Sequence, residues 1–315
     1  MASKGDFHTH STASDGVLSP TKLIDLVASQ GVRWQALTDH DSTEGIAEAR
    51  AAAAKHDGYH LIPGVEMGTD IEGAEVHMLG LYLSPDDAEL QEMLTRLRAG
   101  RMDRGYGIVE KLRGMGLMIE WERVQQIAGD ASVGRPHIAQ ALVEAGYVPK
   151  VADAFDKWIG RNGPAYVERE KMTPAESVQC IVQRGGIACL AHPADLNDLD
   201  ALLAELKAAG MAAMEVFYKD YPPETVDRLH EAAKRHGLLP LGGSDYHGIF
   251  GNDEPLPGNI PLPDWAIEQF LEYAATIPMR WRDRSKGLWT QYSRSLLASG
   301  SILCRREAIG FSDRA

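Results

Sequence analysis

Histidines and carboxylates recur in this sequence where predicted strands end. Eight residues share this placement: His8, His10, Asp39, His40, Glu66, His192, Asp245 and His247. Imidazole and carboxylate groups without thiolates suit Zn²⁺, Mn²⁺ or Fe²⁺. Ions about 3.5–4 Å apart clamp an in-line phosphoryl displacement and lower the pKa of a bridging water. The residue types therefore predict a site that holds two or three divalent ions and hydrolyses phosphate esters.

The spacing of these residues favours a shared site. Side chains two residues apart in a strand point to the same face, so His8 and His10 can bind one ion. Asp245 and His247 repeat that spacing. Asp15 lies five residues after His10, in a polar loop that can fold back over the same place.

The elements around these residues alternate between strands and helices. Seven strands are predicted, over residues 5–10, 34–38, 59–65, 75–83, 187–191, 212–218 and 238–242. Helices with apolar stripes lie between most of them, and this alternation predicts βαβ units with parallel strands. In a barrel of such units the C-terminal ends of the strands converge on one mouth, where catalysis takes place.

A long segment interrupts this alternation. Leucines and methionines between residues 90 and 97 recur at helical spacing, and further helices are predicted up to residue 184. We therefore expect a discontinuous barrel from residues 1–85 and 184–275. A helical insertion over 86–183 would cover its mouth, and residues 276–315 would form a basic C-terminal extension.

Composition and charge limit the classes of protein. The chain has 315 residues and a net charge of −13, which argues against broad binding along nucleic-acid backbones. It has neither an apolar run of the roughly 20 residues a membrane helix needs nor the apolar core of a secretory signal. Three widely spaced cysteines (Cys180, Cys189 and Cys304) predict reduced thiols and a cytoplasmic protein. The net charge of +5 over residues 276–315 fits either a poorly packed extension or a basic arm that holds a polyanion.

The insertion contains candidate contacts for a second phosphate. Arg135 and His137 stand where a helix begins, with Pro136 at its first position. A helix N-terminus with an adjacent arginine is a natural phosphate site. Arg161 is a further candidate for the same role.

The motifs resemble the PHP (polymerase and histidinol phosphatase) superfamily. The similar stretches run in order from residue 5 to about 255: His8-Thr9-His10, Thr38-Asp39-His40, Gly64-Val65-Glu66, His77, Ala191-His192-Pro193 and Ser244-Asp245-Tyr246-His247. The resemblance implies an α/β fold, a distorted (β/α)7 TIM-like barrel with a metal cluster at its mouth. The helical insertion follows strand four and resembles that of small stand-alone phosphoesterases in this group.

The resemblance also implies how the ligands divide among the ions. A first ion would take His8, His10, Glu66 and Asp245. A second would share Glu66 and take His77 and His192. A third would take Asp15, His40 and His247. His192 or Asp39 would help to protonate the leaving oxygen.

The resemblance implies a hydrolase that removes a phosphate from a nucleotide such as a 3′,5′-bisphosphate, using a metal-activated hydroxide. A 5′→3′ exonuclease on short 5′-phosphorylated oligonucleotides is the alternative, followed by a histidinol phosphatase. An amidohydrolase is less favoured, since strand four has no lysine to bridge two metals. A regulatory binding module is disfavoured by the complete ligand set. We expect no membrane association and no stable protein partner.

Overall fold

Seven strands form one sheet that nearly closes on itself. The computed structural model describes residues 3–129, 131–168, 172–219, 221–249 and 254–278. The strands are β1 (Gly5–Asp6), β2 (Trp34–Leu37), β3 (His60–Ile71), β4 (Ala74–Leu81), β5 (Ile187–Leu190), β6 (Ala213–Tyr218) and β7 (Leu239–Gly243). They neighbour one another in chain order. The amide of Phe7, just after β1, donates to the carbonyl of Gly242 in β7 over 3.1 Å. The predicted seven-stranded, barrel-like α/β fold is thus confirmed.

Helices surround this sheet and fill the long connection after β4. The described helices are α1 (Pro20–Ser29), α2 (Ile46–Ala53), α3 (Ala88–Gly114), α4 (Trp121–Ala128), α5 (Arg135–Glu144), α6 (Val151–Ala154), α7 (Pro174–Gln183), α8 (Leu199–Ala208), α9 (Pro223–Arg235) and α10 (Asp264–Thr276). A π-helical turn, Phe155–Ile159, directly follows α6. Within the described residues, no helix is both long enough and apolar enough to cross a membrane.

The expectation of an all-parallel sheet is wrong at β4. This strand is antiparallel to both β3 and β5, whereas the other neighbouring pairs are parallel. Only Glu72 and Gly73 separate β3 from β4, and Gly73 adopts φ +83°. Such a short turn joins antiparallel strands, because a parallel crossover needs a dozen or more residues.

The β3–β4 hairpin also changes the place of one candidate ligand. Glu66 was expected just after strand three, but β3 continues to Ile71 and Glu66 lies in its middle. The carboxylate still reaches the mouth, because β2 ends beside it and His40 forms an isolated parallel bridge with Glu66.

Apolar side chains of the insertion pack in two places. Leu90 and Leu94, early in α3, belong to the same buried cluster as the barrel strands. Ile108 and Leu112, later in the same helix, pack in a separate cluster with Leu142 of α5. Helix α3 therefore runs from the barrel core into the core of the insertion. The predicted domain boundaries stay a prediction, and nearly all of the predicted extension lies outside the described residues.

One barrel helix was not predicted. Helix α10 buries Ile267 and Phe270, and the Phe270 ring meets Phe7 edge to face at 4.9 Å. It covers the barrel beside β7 and β1, close to the point where the sheet closes.

Candidate metal centre

Nine predicted ligands lie together at one end of the barrel. They are His8, His10, Asp15, His40, Glu66, His77, His192, Asp245 and His247. His8 and His10 come shortly after β1, which ends at Asp6 rather than at residue 10 as predicted, and Thr9 between them bridges in parallel to Tyr246 after β7. Asp15 comes from the loop between β1 and α1, so this loop returns over the mouth as the sequence predicts.

Glu66 occupies the centre of the cluster and is 1% exposed. Its Oε2 lies 3.0–3.2 Å from one ring nitrogen of each of three histidines, His8, His10 and His40. Its Oε1 lies 2.7 Å from Nδ1 of His77 and 3.3 Å from Nε2 of His192. One carboxylate thus reaches five histidines from four segments of the chain.

A first group has the composition implied for the first ion. Ligand atoms of His8, His10, Glu66 and Asp245 all lie within 4.8 Å of one another. Oδ1 of Asp245 is 3.2 Å from Nε2 of His8 and 3.1 Å from Nε2 of His10.

Two further groups differ slightly from the implied sets. His10 joins Asp15, His40 and His247 in one group, and Nε2 of His247 is 3.3 Å from Oδ1 of Asp15. Glu66 and His77 form another group, with His40 as the third member. His192 was the implied third member, and it approaches this place through its contact with Glu66. The ligand assignments themselves stay predictions.

The chemistry of the donor set fits divalent cations. Six buried atoms at the centre lie close to other ligand atoms, yet none of these contacts has the geometry of a hydrogen bond: Nε2 of His8 and His10, Nδ1 of His40 and His77, Oε2 of Glu66 and Oδ1 of Asp15. Buried polar atoms are normally hydrogen-bonded, because an unsatisfied one costs about 1–3 kcal/mol. Bound cations would satisfy these lone pairs together.

The carboxylates control the protonation of the histidines. Burial lowers the pKa of His10, but Asp245 and Glu66 outweigh it and raise that pKa to about 10. The pKa of His77 rises to about 9, since Glu66 and Glu75 outweigh burial in the same way. Burial dominates at His40 and lowers its pKa to about 4. The negative charge of the carboxylates, which raises the pKa values of His10 and His77, would also attract metal cations.

Asp39 faces the loop between β1 and α1 rather than the centre of the cluster. It is 1% exposed, and burial raises the pKa of its carboxyl group. Its Oδ1 accepts hydrogen bonds from the Ser11 amide and the Ser14 hydroxyl, and its Oδ2 accepts one from the Ser11 hydroxyl. These contacts fix the loop that leads to Asp15.

Arg135 and His137 lie at the start of α5, as predicted. Nη2 of Arg135 lies 2.6 Å from Oε2 of Glu75, whose other oxygen is 3.6 Å from Nε2 of His77. The amide of Gly134 donates to Nδ1 of His137 over 2.9 Å. Glu75 thus lies between Arg135 and the candidate ligand His77.

Arg161 contacts Asp70, which pairs across the β3–β4 hairpin with Glu75. Its Nη1 is 2.5 Å from Oδ1 of Asp70 in β3, and its guanidinium approaches the Tyr166 ring. Arg161 and Arg135 thus both reach from the insertion to carboxylates of the β3–β4 hairpin.

Sequence reasoning missed the side chains that support the ligands. Glu215 of β6 contacts His8, while Tyr218 donates a hydrogen bond over 2.7 Å to Oδ2 of Asp245. Nζ of Lys219 is 3.0 Å from the same oxygen. One signal for Glu215 is present in the sequence, because it is an acid inside the otherwise apolar strand 213–218.

Comparisons with known proteins agree with this geometry. A family model described as the PHP domain matches residues 6–158. A 5′-3′ exoribonuclease from Haemophilus influenzae is 36% identical over 271 residues, or 85% of this chain and 98% of the relative. A 3′,5′-nucleoside bisphosphate phosphatase from Chromobacterium violaceum is 33% identical, over 82% of this chain and 94% of the relative.

Solved structures share the fold. One from Bifidobacterium adolescentis, assigned as a metal-dependent phosphoesterase, has 32% identity and a TM-score of 0.76, covering 85% of this chain and 95% of that one. Another, described as an amidohydrolase from Chromobacterium violaceum with bound sulfate and no metal, has 31% identity and a TM-score of 0.80, covering 90% and 100%. With a matching family model and relatives aligned along more than four-fifths of its length, the chain belongs to the PHP family and is a phosphoesterase.

Proposed function

We propose that this phosphoesterase removes the 3′-phosphate from nucleoside 3′,5′-bisphosphates with the help of two or three divalent ions. The observation that carries the proposal is the cluster around Glu66, with arginines of the insertion beside it. The relative from Chromobacterium violaceum named for this activity supports the choice of substrate.

The candidate ligands would hold Mn²⁺, Fe²⁺ or Zn²⁺, since they offer imidazole and carboxylate groups and no thiolate. Such ions, when bound, activate water and neutralise the charge of a phosphate. Glu66 would be shared between positions, because its two oxygens face different histidines. We propose that Asp39 holds the Asp15 loop in place rather than donating a proton, since both of its oxygens already accept hydrogen bonds.

Arg135, His137 and Arg161 would bind the second phosphate. Arg135 pairs with Glu75 and Arg161 with Asp70, so each guanidinium already lies against an anionic oxygen. A phosphate offers the same bidentate geometry with more charge. Substrate binding would then exchange a carboxylate for a phosphate at one or both arginines.

A 5′→3′ exoribonuclease is the second candidate function. The relative from Haemophilus influenzae bears that name and is 36% identical to this chain. The same arginines would then hold the 5′-phosphate of an oligonucleotide while the ion cluster hydrolyses a phosphodiester. The basic arm over 276–315, predicted as a possible polyanion contact, lies almost entirely outside the described residues.

Phosphate release and chain shortening separate these functions. The metal-loaded protein is incubated with adenosine 3′,5′-bisphosphate, 5′-AMP, histidinol phosphate and a 5′-phosphorylated oligoribonucleotide. Preferred conversion of the bisphosphate to 5′-AMP supports the proposal. Shortening of the oligonucleotide without attack on the bisphosphate would replace it by the exonuclease. Preference for histidinol phosphate would overturn both.

Two cellular properties complete the proposal. We propose a cytoplasmic enzyme, consistent with Cys180 and Cys189 being free and buried; Cys304 lies outside the described residues. Its partners would be small phosphorylated substrates, with no stable protein partner implied.

A further inference from the structure

We propose that Glu215 is a positioning residue that holds His8 and His192, and thereby two of the candidate metal positions, in one arrangement. The inference rests on the metal dependence proposed above but not on the choice of substrate.

Both oxygens of Glu215 are committed to the site. The side chain is completely buried. Its Oε1 lies 3.1 Å from Nδ1 of His8, and its Oε2 accepts a hydrogen bond of 2.7 Å from the backbone amide of His192. The carboxylate therefore touches two candidate ligands, His8 and His192, that lie far apart in the sequence.

The contact with His8 selects one form of that imidazole. A carboxylate accepts hydrogen bonds, so Nδ1 of His8 must carry the proton. The lone pair of the neutral ring then lies on Nε2, which is buried and lies 3.2 Å from both Glu66 and Asp245. Metal-bound histidines commonly have this arrangement, with a carboxylate on the far nitrogen that fixes the ring and raises its basicity.

The contact with His192 holds an unfavourable backbone. His192 has φ +29°, in a region that side-chain-bearing residues rarely adopt. Such conformations persist only where the surroundings enforce them. The hydrogen bond from its amide to Glu215 supplies one such constraint, at the residue whose ring reaches Oε1 of Glu66 over 3.3 Å.

The strands around Glu215 accommodate this carboxylate. The β6–β7 register shifts between Glu215 and Phe217, so a bulge lies directly after the glutamate; bulges commonly re-aim side chains next to active sites. In β7, a Cβ on Gly243 would lie 2.2 Å from Cβ of His8 and 2.9 Å from Oε1 of Glu215. The absence of a side chain at Gly243 thus provides the space in which His8 and Glu215 make contact.

The test compares Glu215→Gln with Asp6→Asn in Mn²⁺ titrations of metal-stripped protein. Glutamine keeps the size of the side chain, but its single amide oxygen cannot replace both carboxylate oxygens, so it loses the acceptor for either His8 or His192. Asp6 is an equally buried acid whose oxygens accept backbone amides, those of Ser244, Gly258 and, over 3.4 Å, His8, rather than an imidazole nitrogen. Its replacement therefore controls for the loss of a buried carboxylate that does not contact a ligand ring. We expect Glu215→Gln to weaken Mn²⁺ binding about 10- to 100-fold, the range for loss of a carboxylate behind a metal-bound histidine. Asp6→Asn should mainly lower the melting temperature of the metal-free protein.

The same titrations distinguish positioning from plain stabilisation. If Glu215→Gln binds Mn²⁺ as tightly as the unaltered protein and loses only metal-free stability, the inference is wrong. If this variant does not fold, Glu215→Asp, which keeps the charge but shortens the reach, must show the weakened binding instead. An unaltered protein that binds no metal would overturn both this inference and the proposed metal dependence. One that binds metal without attacking the bisphosphate would overturn the proposed substrate alone.

Discussion

Oε1 of Glu66 lies 2.7 Å from Nδ1 of His77, across the antiparallel pair β3 and β4. The β3–β4 hairpin thus brings together two candidate ligands that lie within strands, Glu66 in β3 and His77 in β4. Glu66 contacts ligands on two sides, because Oε2 faces the histidines that follow β1 and β2 while Oε1 faces His77 in β4.

Replacing Glu66 should therefore disable more than one metal position. Glu66→Gln keeps the shape but removes the charge shared by the surrounding histidines. We expect kcat to fall at least about 100-fold, equivalent to ~2.7 kcal/mol, with less Mn²⁺ retained per protein. Metal analysis after gel filtration and phosphate release measure the two effects. Glu224→Gln, which replaces an exposed acid on α9, serves as control. A Glu66→Gln protein with full metal content and activity would contradict the role.

The candidate ligands were predictable because their positions follow from chain topology. Residues after β1, β2, β5 and β7 meet at one mouth whatever the details of packing. The position of Glu66 within its strand was not predictable in the same way, since alternation of apolar residues does not show where a long buried strand ends. Glu215 was missed because its role depends on a bulge, which depends on the register in which β6 pairs with β7.

Arg135→Ala should selectively impair substrates with two phosphates. Loss of a charged hydrogen bond of ~1.5–3 kcal/mol would lower kcat/KM for adenosine 3′,5′-bisphosphate about 10- to 100-fold. Activity on 3′-AMP, which lacks the second phosphate, should change less than about threefold on the same scale. Steady-state kinetics on both substrates measure the difference.

Arg123→Ala is the matched control for Arg135→Ala. Arg123 also belongs to the insertion and pairs with an acid, Glu144, but it is half exposed on α4. It should leave both substrates unaffected. If Arg135→Ala lowers kcat/KM equally for both substrates, its pairing with Glu75 supports the structure of the site and not the binding of the second phosphate.

Metal binding should strengthen as pH rises from 6 to 9. The carboxylates raise the pKa of His10 to about 10 and that of His77 to about 9, so both rings are protonated at pH 7 before a cation binds. A cation must displace these protons, and each pH unit below those values therefore weakens its apparent affinity. Calorimetric titration with Mn²⁺ in buffers of different ionisation enthalpy measures the protons released. Affinity that stays constant over this pH range, with no proton release, would contradict the assignment of His10 and His77 as ligands.

The buried pair of Asp41 and Arg101 should stabilise the junction between insertion and barrel. Nε of Arg101 on α3 lies 2.5 Å from Oδ2 of Asp41, directly after His40, and both side chains are buried. Arg101→Met removes one partner of a buried pair, which costs about 3–5 kcal/mol. Urea unfolding of the metal-free protein measures the loss.

Two comparisons make the Arg101→Met result specific. Arg113→Met, which removes a more exposed pairing with Glu120 on the surface of the insertion, should cost less than about 1 kcal/mol. The double variant Asp41→Asn/Arg101→Met should be less destabilised than Arg101→Met alone, because no buried charge then loses its partner. If the double variant loses as much free energy of unfolding as the two single variants together, the loss comes from packing and not from an unpaired buried charge.

The fold itself was predictable in its strand count and order of elements, and less so in strand direction. A two-residue turn after β3 is too short for a crossover, yet the sequence Glu72-Gly73 alone does not reveal that β3 extends up to it. The sequence also did not show that α3 spans two cores, because the buried residues early in this helix pack in the barrel and the later ones pack in the insertion.

The central claim is that the cluster around Glu66 holds divalent ions that make this phosphoesterase active. Its most direct test is phosphate release from adenosine 3′,5′-bisphosphate during stepwise addition of Mn²⁺ to metal-stripped protein. We predict no release without metal, and a rate that rises with each bound equivalent and saturates at two or three per chain. Release that is equally fast in the stripped protein would contradict the account, whereas saturated binding without any release would contradict the proposed substrate.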